Sequence, residues 1–385
     1  MWDGLKKQMI DNTQKALLEL LKDSLFGIEP VFPDNVDWDA VLAEAKAQTV
    51  VALAAKAVPA GYASQWQSYA FLSQAQFARV LHGQTKLVKL FEQEGIPLVI
   101  MKGTAAAVCY PEPFRRTMGD IDFLVPQARF YEASQLMQGN GYHQLEQPNP
   151  RHIGFVRDGV DFELHHHFSY VDLDVEDAIV EGLSHSVWGE IGTHRFPMLP
   201  PLANGIVLLE HLRYHMKSGV GMRQMVDWMM YVNSELGDEF WKSEFRKVAE
   251  CKGLAKLAIT ATRMCQRYLG LSECITWCAS ADDTLCDQLL ALLFSSGNFG
   301  RKACNSVESV SMLIRENGLF RYLQNSGEVN WTAYHRHHML KPFCWIYQGG
   351  RVIRKTIHSR RGIKIIGDIS QSKYRASLLH ELGIM

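Results

Sequence analysis

The sequence lacks the features that would assign it to several specialised classes of protein. None of its 385 residues falls in an uncharged apolar stretch of about 18 residues or more, so we expect no membrane span. The formal net charge is -1, so no overall charge draws the chain to nucleic acid or to a membrane surface. Internal repeats and low-complexity linkers are also missing. Any recognition of a polyanion must therefore depend on a local patch.

Cysteine is sparse and scattered. The 8 cysteines lie between Cys109 and Cys344, without the dense spacing of a disulfide framework, and most are interpreted as small buried residues of a reducing compartment. Cys274 and Cys278 are four apart, which fits half of a metal site or one face of a helix. No second pair has matching spacing, so the helix face is favoured. The chain begins with a charged amphipathic segment rather than a secretory signal, so a cytoplasmic protein is expected.

Three regions differ in their hydrophobic pattern. With 47% hydrophobic and 21% charged residues the chain can bury a substantial core. Residues 1–95 follow helical spacing, residues 96–200 alternate short strand-like and helix-like runs, and residues 201–385 return to helical spacing with a basic final stretch. This order predicts an α+β fold in which a small mixed sheet is flanked by helical regions at both ends.

Local signals place the elements of the middle region. A helix is expected behind Asp37 as N-cap, and another helix should end at Gly95. The run from Ile96 to Lys102 predicts a buried strand, followed at once by a helix rich in small residues. Asp120 to Val125 predicts a second strand and is followed by a helix. Further strands are expected near residues 142–147, 153–157 and 160–168.

Two aspartates two positions apart are the main candidate for chemistry. On a strand, Asp120 and Asp122 point to the same face while Ile121 turns into the core. Carboxylates this close repel each other unless a cation neutralises them, and Mg²⁺ or Mn²⁺ with a triphosphate is the common solution. A third acid on a neighbouring strand would allow two ions to bind. Either Asp161 or Glu163 fits that role.

An element that favours phosphate binding precedes the aspartates. Lys102, Gly103 and Thr104 fall where a strand ends and a helix begins. Gly103 lets a phosphate approach the backbone closely, and the start of the helix offers unpaired N–H groups. The Thr104 hydroxyl and the Lys102 ammonium would add a donor and a positive charge. An ordinary tight turn between strand and helix explains the glycine equally well.

The order of these elements resembles the DNA polymerase β-like nucleotidyltransferase superfamily. The segment MKGTAAAVCYPEPFRRTMGDIDFLV is similar in more detail to a bacterial family of uncharacterised nucleotidyltransferases. The resemblance extends to VDWDAVLAEAK, FELHHHF and GMRQMVDWMMYV, and so covers roughly Val36 to Val232. The last third of the chain matches no family that we can name.

The resemblance implies roles for individual residues. Gly103 and Thr104 would hold the phosphates of the nucleotide, and Asp120, Asp122 and Glu163 would bind the metals. Thr104 stands where the superfamily has Gly or Ser, and residues 105 to 119 make the spacing to Asp120 longer than usual. The extra loop carries Arg115 and Arg116, which fit triphosphate oxygens or serve as surface charge. His165 is expected to line the nucleotide pocket beside Glu163.

The implied function is transfer of a nucleoside monophosphate from an NTP to an acceptor with release of pyrophosphate. The acceptor is a small molecule, a peptide or a protein. Two alternatives remain. One is a nucleotidyltransferase-like fold kept as a non-catalytic binding module. The other is a sugar-nucleotide transferase with an Asp-x-Asp motif, which is disfavoured because the first 95 residues are helical rather than Rossmann-like.

The remaining histidines and the tail give weaker signals. A zinc site built from His165 and His167 with His211 and His215 is an alternative that ranks below the nucleotide-pocket role of His165. Arg223 and Asp227, four apart on one helix, most simply form an ion pair. The basic stretch from Lys341 onwards is interpreted as a solvated helix face, so nucleic acid is a possible partner but not the favoured one.

Overall fold

The computed structural model of the chain describes residues 10–146, 152–168, 175–298, 319–331, 334, 338–358 and 375–384. Its contacts group into two compact units. The first comprises Met1–Lys302 with Leu382–Ile384, and the second comprises Ala303–Glu381 with Met385. The division at residues 95 and 200 that the sequence predicts stays a prediction. Residues 359–374 of the predicted basic stretch lie outside the described part of the chain.

Helices account for most of the first unit. Among the residues described, they are α1 (Asn12–Phe26), α2 (Trp38–Gln48), α3 (Val51–Ala54), α4 (Ala63–Gln93), α5 (Gly103–Ala107), α6 (Phe130–Gly139), α7 (Glu176–Ser184), α8 (Pro201–Ser218), α9 (Met222–Ser234), α10 (Asp238–Phe240), α11 (Arg246–Cys251), α12 (Ala255–Leu269) and α13 (Asp283–Ser296). The predicted N-cap is confirmed, since the Asp37 side chain accepts hydrogen bonds from the backbone N–H groups of Asp39 and Ala40. The predicted stop at Gly95 is also confirmed, because α4 ends at Gln93 with Glu94 as its C-cap, and Gly95 comes next with a φ of 62°.

The strands of the first unit are β1 (Val99–Met101), β2 (Ile121–Leu124), β3 (His143–Gln144), β4 (His152–Arg157), β5 (Val160–His165), β6 (Val187–Ile191) and β7 (His194–Met198). Over the described residues they form one seven-stranded sheet in the order β3-β4-β5-β2-β1-β7-β6. Parallel pairing of β2 with β5 and of β1 with β7 combines with antiparallel pairing elsewhere. The predicted α+β class with a mixed sheet is therefore confirmed.

One face of this sheet is covered by apolar side chains. Phe91 on α4 meets Phe123 on β2 edge to face, with ring centroids 5.6 Å apart, and Ile121 belongs to the same buried cluster. Full burial of such a side chain stabilises the fold by roughly 1.5–3 kcal/mol. Because side chains alternate along a strand, burying Ile121 and Phe123 turns Asp122 to the opposite face. Packing of the core thus fixes the direction of the predicted site.

The described part of the second unit is also helical. It contains α14 (Leu319–Asn330), α15 (Cys344–His358), a 3₁₀ turn at His338–Phe343 and a helical segment at residues 375–381. The two helices approach closely at Gly327, where an added Cβ would lie 2.1 Å from the backbone oxygen of Cys344. Glycine is the residue that permits this approach.

Candidate functional site

Strand register brings three carboxylates together on the face opposite the core. Asp120 and Asp122 share that face by alternation, and Asp122 stands directly opposite Glu163 in the parallel β2–β5 pair. One carboxylate oxygen from each of the three residues lies within 4.8 Å of the others. Asp161 shares the parity of Glu163 but belongs to neither of the candidate metal-binding groups found in the described ranges. We call Asp120, Asp122 and Glu163 the carboxylate group.

The two aspartates differ in their electrostatic environment. Solvent reaches Asp120, although protein atoms surround its carboxylate on most sides, and repulsion from Asp122 raises its pKa to about 6. Burial would raise the pKa of Asp122 too, but Lys102 and His165 hold it well below the ordinary value. A divalent cation bound among these oxygens would relieve the repulsion. The donor set is made only of carboxylate oxygens and fits Mg²⁺ or Mn²⁺.

Lys102 is held at the carboxylate group by an unusual backbone conformation. Its φ of 52° lies in the region that favours glycine, and its Nζ is 2.6 Å from Oδ1 of Asp122. Gly103 follows with a φ of 28°, and a Cβ there would approach the side chain of Met118 and the backbone oxygen of Asp120. The turn predicted for phosphate binding therefore lies beside the carboxylates. Because α5 extends over only five residues, its dipole adds little.

Two histidines complete the polar face. His165 is buried, and its Nε2 lies 3.0 Å from Oδ1 of Asp122 and 3.3 Å from Oε2 of Glu163. His152 stands opposite His165 in the antiparallel β4–β5 pair, and its Nδ1 is 3.4 Å from the same Glu163 oxygen. The sequence suggested His165 as a neighbour of Glu163, but it gave no signal for His152. The pairing of β4 with β5 is what places His152 there.

The Thr104 hydroxyl points into the protein. Thr104 is 1% exposed and donates a hydrogen bond of 2.5 Å to Oε1 of Gln84 on α4, a side chain that is 2% exposed. The contact joins the turn after β1 to the long helix behind the sheet. A role of Thr104 in holding phosphate stays a prediction, and the structure adds a role in packing.

Thr104→Val should destabilise the protein by about 1–3 kcal/mol, because it leaves the buried Gln84 amide without its hydroxyl partner. Urea unfolding monitored by circular dichroism measures the change. Thr104→Ser keeps the hydroxyl and is the matched control, expected to lose much less. Equal losses in the two variants would show that the methyl group contributes as much as the hydrogen bond, which would contradict the expected dominance of the hydrogen bond.

The loop arginines are both engaged with protein groups. Arg115 donates to Glu112 at 2.6 Å and to the backbone oxygen of Ala52 at 3.2 Å. Arg116 is buried and binds both carboxylate oxygens of Asp227 on α9, each at 2.7 Å. Contacts of either arginine with a triphosphate stay predictions.

Asp227 is the centre of a buried polar cluster that connects α9 to the loop before β2. Besides Arg116, it accepts a hydrogen bond of 2.6 Å from the Tyr110 hydroxyl. Burial and the nearby Asp227 carboxylate raise the Tyr110 pKa well above its ordinary value, which keeps the hydroxyl a donor. Arg223 contacts the same loop, donating to the backbone oxygen of Thr117 at 3.4 Å. The pairing of Asp227 with Arg223 that the sequence suggests stays a prediction, and the structure adds a bidentate pair of Asp227 with Arg116.

The other three histidines of the zinc hypothesis lie in two separate environments. The His211 and His215 rings pack on α8 with centroids 4.5 Å apart. Burial, and then the neighbouring His215, lower the pKa of His211 well below its ordinary value. His167 faces Glu176, with Nδ1 3.4 Å from Oε1. None of the three joins a candidate metal-binding group in the described part of the chain.

Comparison with known protein families assigns the region that contains this site to one family. Residues 34–270, more than half of the chain, match the family described as uncharacterised nucleotidyltransferase. The chain belongs to this nucleotidyltransferase family. The match contains the carboxylate group, both histidines and the Arg116–Asp227 pair, and it confirms the resemblance found in the sequence. No curated protein matches the chain.

Some solved structures are similar over part of the chain. A crystal structure of ANT(2'')-Ia in complex with adenylyl-2''-tobramycin is 13% identical, covers 44% of this chain and 97% of that chain, and gives a TM-score of 0.35. A solution structure of the antibiotic-resistance factor ANT(2'')-Ia is 13% identical, with coverages of 46% and 94% and a TM-score of 0.34. A nucleotidyltransferase-like protein from Paracoccidioides brasiliensis is 15% identical, with coverages of 50% and 93% and a TM-score of 0.34.

Across the described ranges, no helix combines the length and the apolar character needed to cross a bilayer.

Proposed function

We propose that the protein transfers a nucleoside monophosphate from an NTP to an acceptor, with a divalent cation held by the carboxylate group. The observation that carries the proposal is the convergence of Asp120, Asp122 and Glu163 within 4.8 Å, beside a glycine turn and in a chain of this family. When bound, the cation neutralises charge on the triphosphate and stabilises the departing pyrophosphate. The acceptor stays open between a small molecule, a peptide and a protein.

The residues of the site have different roles in the proposed reaction. Asp120, Asp122 and Glu163 would hold the cation, and Gly103 lets a phosphate approach the backbone beside them. The oxygen of the acceptor attacks the α-phosphorus, the bond to the β-phosphate oxygen breaks, and pyrophosphate leaves with that electron pair. Asp122 or Glu163 doubles as the group that takes the proton of the acceptor.

One observation favours a second candidate, a nucleotide-binding module without turnover. The Lys102 ammonium lies 2.6 Å from Asp122 and already balances its charge without a metal ion. If that ion pair persists when nucleotide binds, Lys102 would replace one cation and the site would bind NTP without activating an acceptor. The two candidates differ in whether binding needs a divalent ion.

Calorimetric titration of the purified chain with ATP, GTP, CTP and UTP tests the proposal. We expect saturable binding of at least one NTP in Mg²⁺ and its loss in EDTA. Binding that survives EDTA would favour the module, and absence of binding by every NTP would contradict both candidates. Glu163→Gln should weaken binding in Mg²⁺, whereas Asp161→Asn, on the same strand and face, should bind as the wild type does.

A further inference from the structure

A second set of metal-binding side chains lies directly against the carboxylate group. His152, Glu163 and His165 each offer one ligand atom, and the three atoms lie within 4.8 Å of one another. The set shares Glu163 with the carboxylate group but replaces both aspartates by imidazoles. We call it the His-Glu-His group. Imidazole nitrogen suits zinc and its neighbours in the first transition row, whereas Mg²⁺ prefers oxygen.

The spacing of the ligand atoms fits a tetrahedral ion. Zinc at about 2.0–2.1 Å from its ligands holds neighbouring ligand atoms roughly 3.3 Å apart. Oε2 of Glu163 lies 3.4 Å from Nδ1 of His152 and 3.3 Å from Nε2 of His165. Two of the three distances between ligand atoms therefore already match those of a tetrahedral zinc ion. Only the separation of the two imidazoles remains to be adjusted, and it is no greater than 4.8 Å.

The contact of the second ring nitrogen of His165 also supports a metal-binding role for this residue. Its Nδ1 lies 3.4 Å from the backbone oxygen of His167, so that a proton on Nδ1 is directed to a carbonyl. A metal-binding histidine commonly uses its second ring nitrogen in this way, which leaves the lone pair on the other nitrogen for the ion. The arrangement directs Nε2 of His165 towards both Asp122 and Glu163, which lie 3.0 and 3.3 Å away.

Strand pairing holds the group in place. His152 and His165 stand opposite each other in the β4–β5 pair, and Gly154 stands opposite Glu163. All three ligands therefore rise from paired strands of one sheet rather than from loops. His165 is buried, and the His152 and Glu163 side chains are 14% and 28% exposed. An ion bound here would be reached from solvent and would lie next to the cation of the carboxylate group.

We propose that the His-Glu-His group is a second cation site that selects a zinc-like ion over Mg²⁺. The inference rests on the proposed function in one respect, since Glu163 would bridge this ion and the Mg²⁺ of the carboxylate group. Three protein ligands leave a fourth tetrahedral position for an oxygen from water, acceptor or phosphate, as in catalytic zinc sites. The substrate would thus meet two ions of different chemistry.

Titration of the full chain with Co²⁺ in excess Mg²⁺ and without nucleotide tests this proposal. Tetrahedral Co²⁺ absorbs visible light far more strongly than octahedral Co²⁺ and stands in for zinc. We expect a saturable tetrahedral band that Zn²⁺ removes and Mg²⁺ does not. His152→Ala should weaken Co²⁺ binding by more than about 10-fold, since even outer-shell changes cost that much. His143→Ala, an exposed histidine on the adjacent strand, is the matched control and should bind normally.

Each result separates this site from the proposed function. Absence of the band, or equal affinity in His152→Ala and wild type, would overturn the His-Glu-His site. NTP binding in Mg²⁺ would be unaffected by that result and would continue to support the carboxylate group. A tetrahedral band together with no binding of any NTP would support the His-Glu-His site and contradict the proposed function. Circular dichroism of each variant checks that the fold is retained.

Discussion

Asp120→Asn is expected to lower the affinity for Mg²⁺–ATP by about 100-fold or more, because a direct ligand should matter at least as much as an outer-shell group. The variant should nevertheless fold normally. Asp120 is exposed and lies next to Asp122, whose repulsion raises its pKa to about 6. Removing the Asp120 charge therefore relieves repulsion in the metal-free protein. Calorimetric titration with ATP in Mg²⁺ measures the loss.

The stability of Asp120→Asn in EDTA provides an independent check. A carboxylate whose folded pKa is raised weakens the folded state once it ionises, and this penalty grows as pH rises from the ordinary value of 3.8 through about 6. The variant should thus be more stable than the wild type at pH 8 and equal to it below pH 3.8. Lower stability at pH 8 would contradict the repulsion, and unchanged ATP affinity would contradict the assignment of Asp120 as a ligand.

Arg116→Met should destabilise the protein by about 3–5 kcal/mol, because it leaves the buried Asp227 carboxylate without its bidentate partner. Both side chains of this pair are 4% exposed. Arg246→Met is the matched control, since Arg246 pairs with Glu250 at the same distance of 2.7 Å on the surface. That change should cost no more than about 1 kcal/mol. Urea unfolding at pH 7 measures both.

A second variant separates the ion pair from a contact with nucleotide. The double change Arg116→Met with Asp227→Asn removes both charges and keeps an acceptor for the Tyr110 hydroxyl, so it should recover part of the lost stability. If Arg116 instead contacts triphosphate, Arg116→Lys would lose ATP affinity with little change in stability. A double variant no more stable than Arg116→Met alone would show that the pair is not the source of the effect.

Most of the individual elements could be predicted because their signals are local. Asp37 as N-cap, Gly95 after a helix and the alternation around Ile121 each depend on a few neighbouring residues. The last two strands were not predicted. Pro197 lies inside β7, and a proline within a run weakens the sequence signal for a strand. Their existence depends on pairing with β1 and with each other.

Part of the candidate site could also be predicted from local sequence signals. Alternation alone puts Asp120 and Asp122 on one face, and the glycine turn before them is visible in the spacing. The third acid was not decided, because Asp161 and Glu163 have the same parity. The β2–β5 register distinguishes the two residues by placing Glu163 opposite Asp122, and the role of Glu163 as a metal ligand stays a prediction. Register depends on which strands pair, and one sequence read locally does not contain that information.

The sequence by itself determined the family, the fold class and the shared strand face of Asp120 and Asp122. Each of these depends on the order of motifs or on a period of two or 3.6 residues. Only the tertiary structure decided what surrounds them. The pairing of β4 with β5 places His152 beside Glu163. The Thr104 hydroxyl is hydrogen-bonded to Gln84 on α4, and Asp227 forms an ion pair with Arg116. These contacts join residues far apart in the chain, because side chains are paired by packing and strand register in three dimensions.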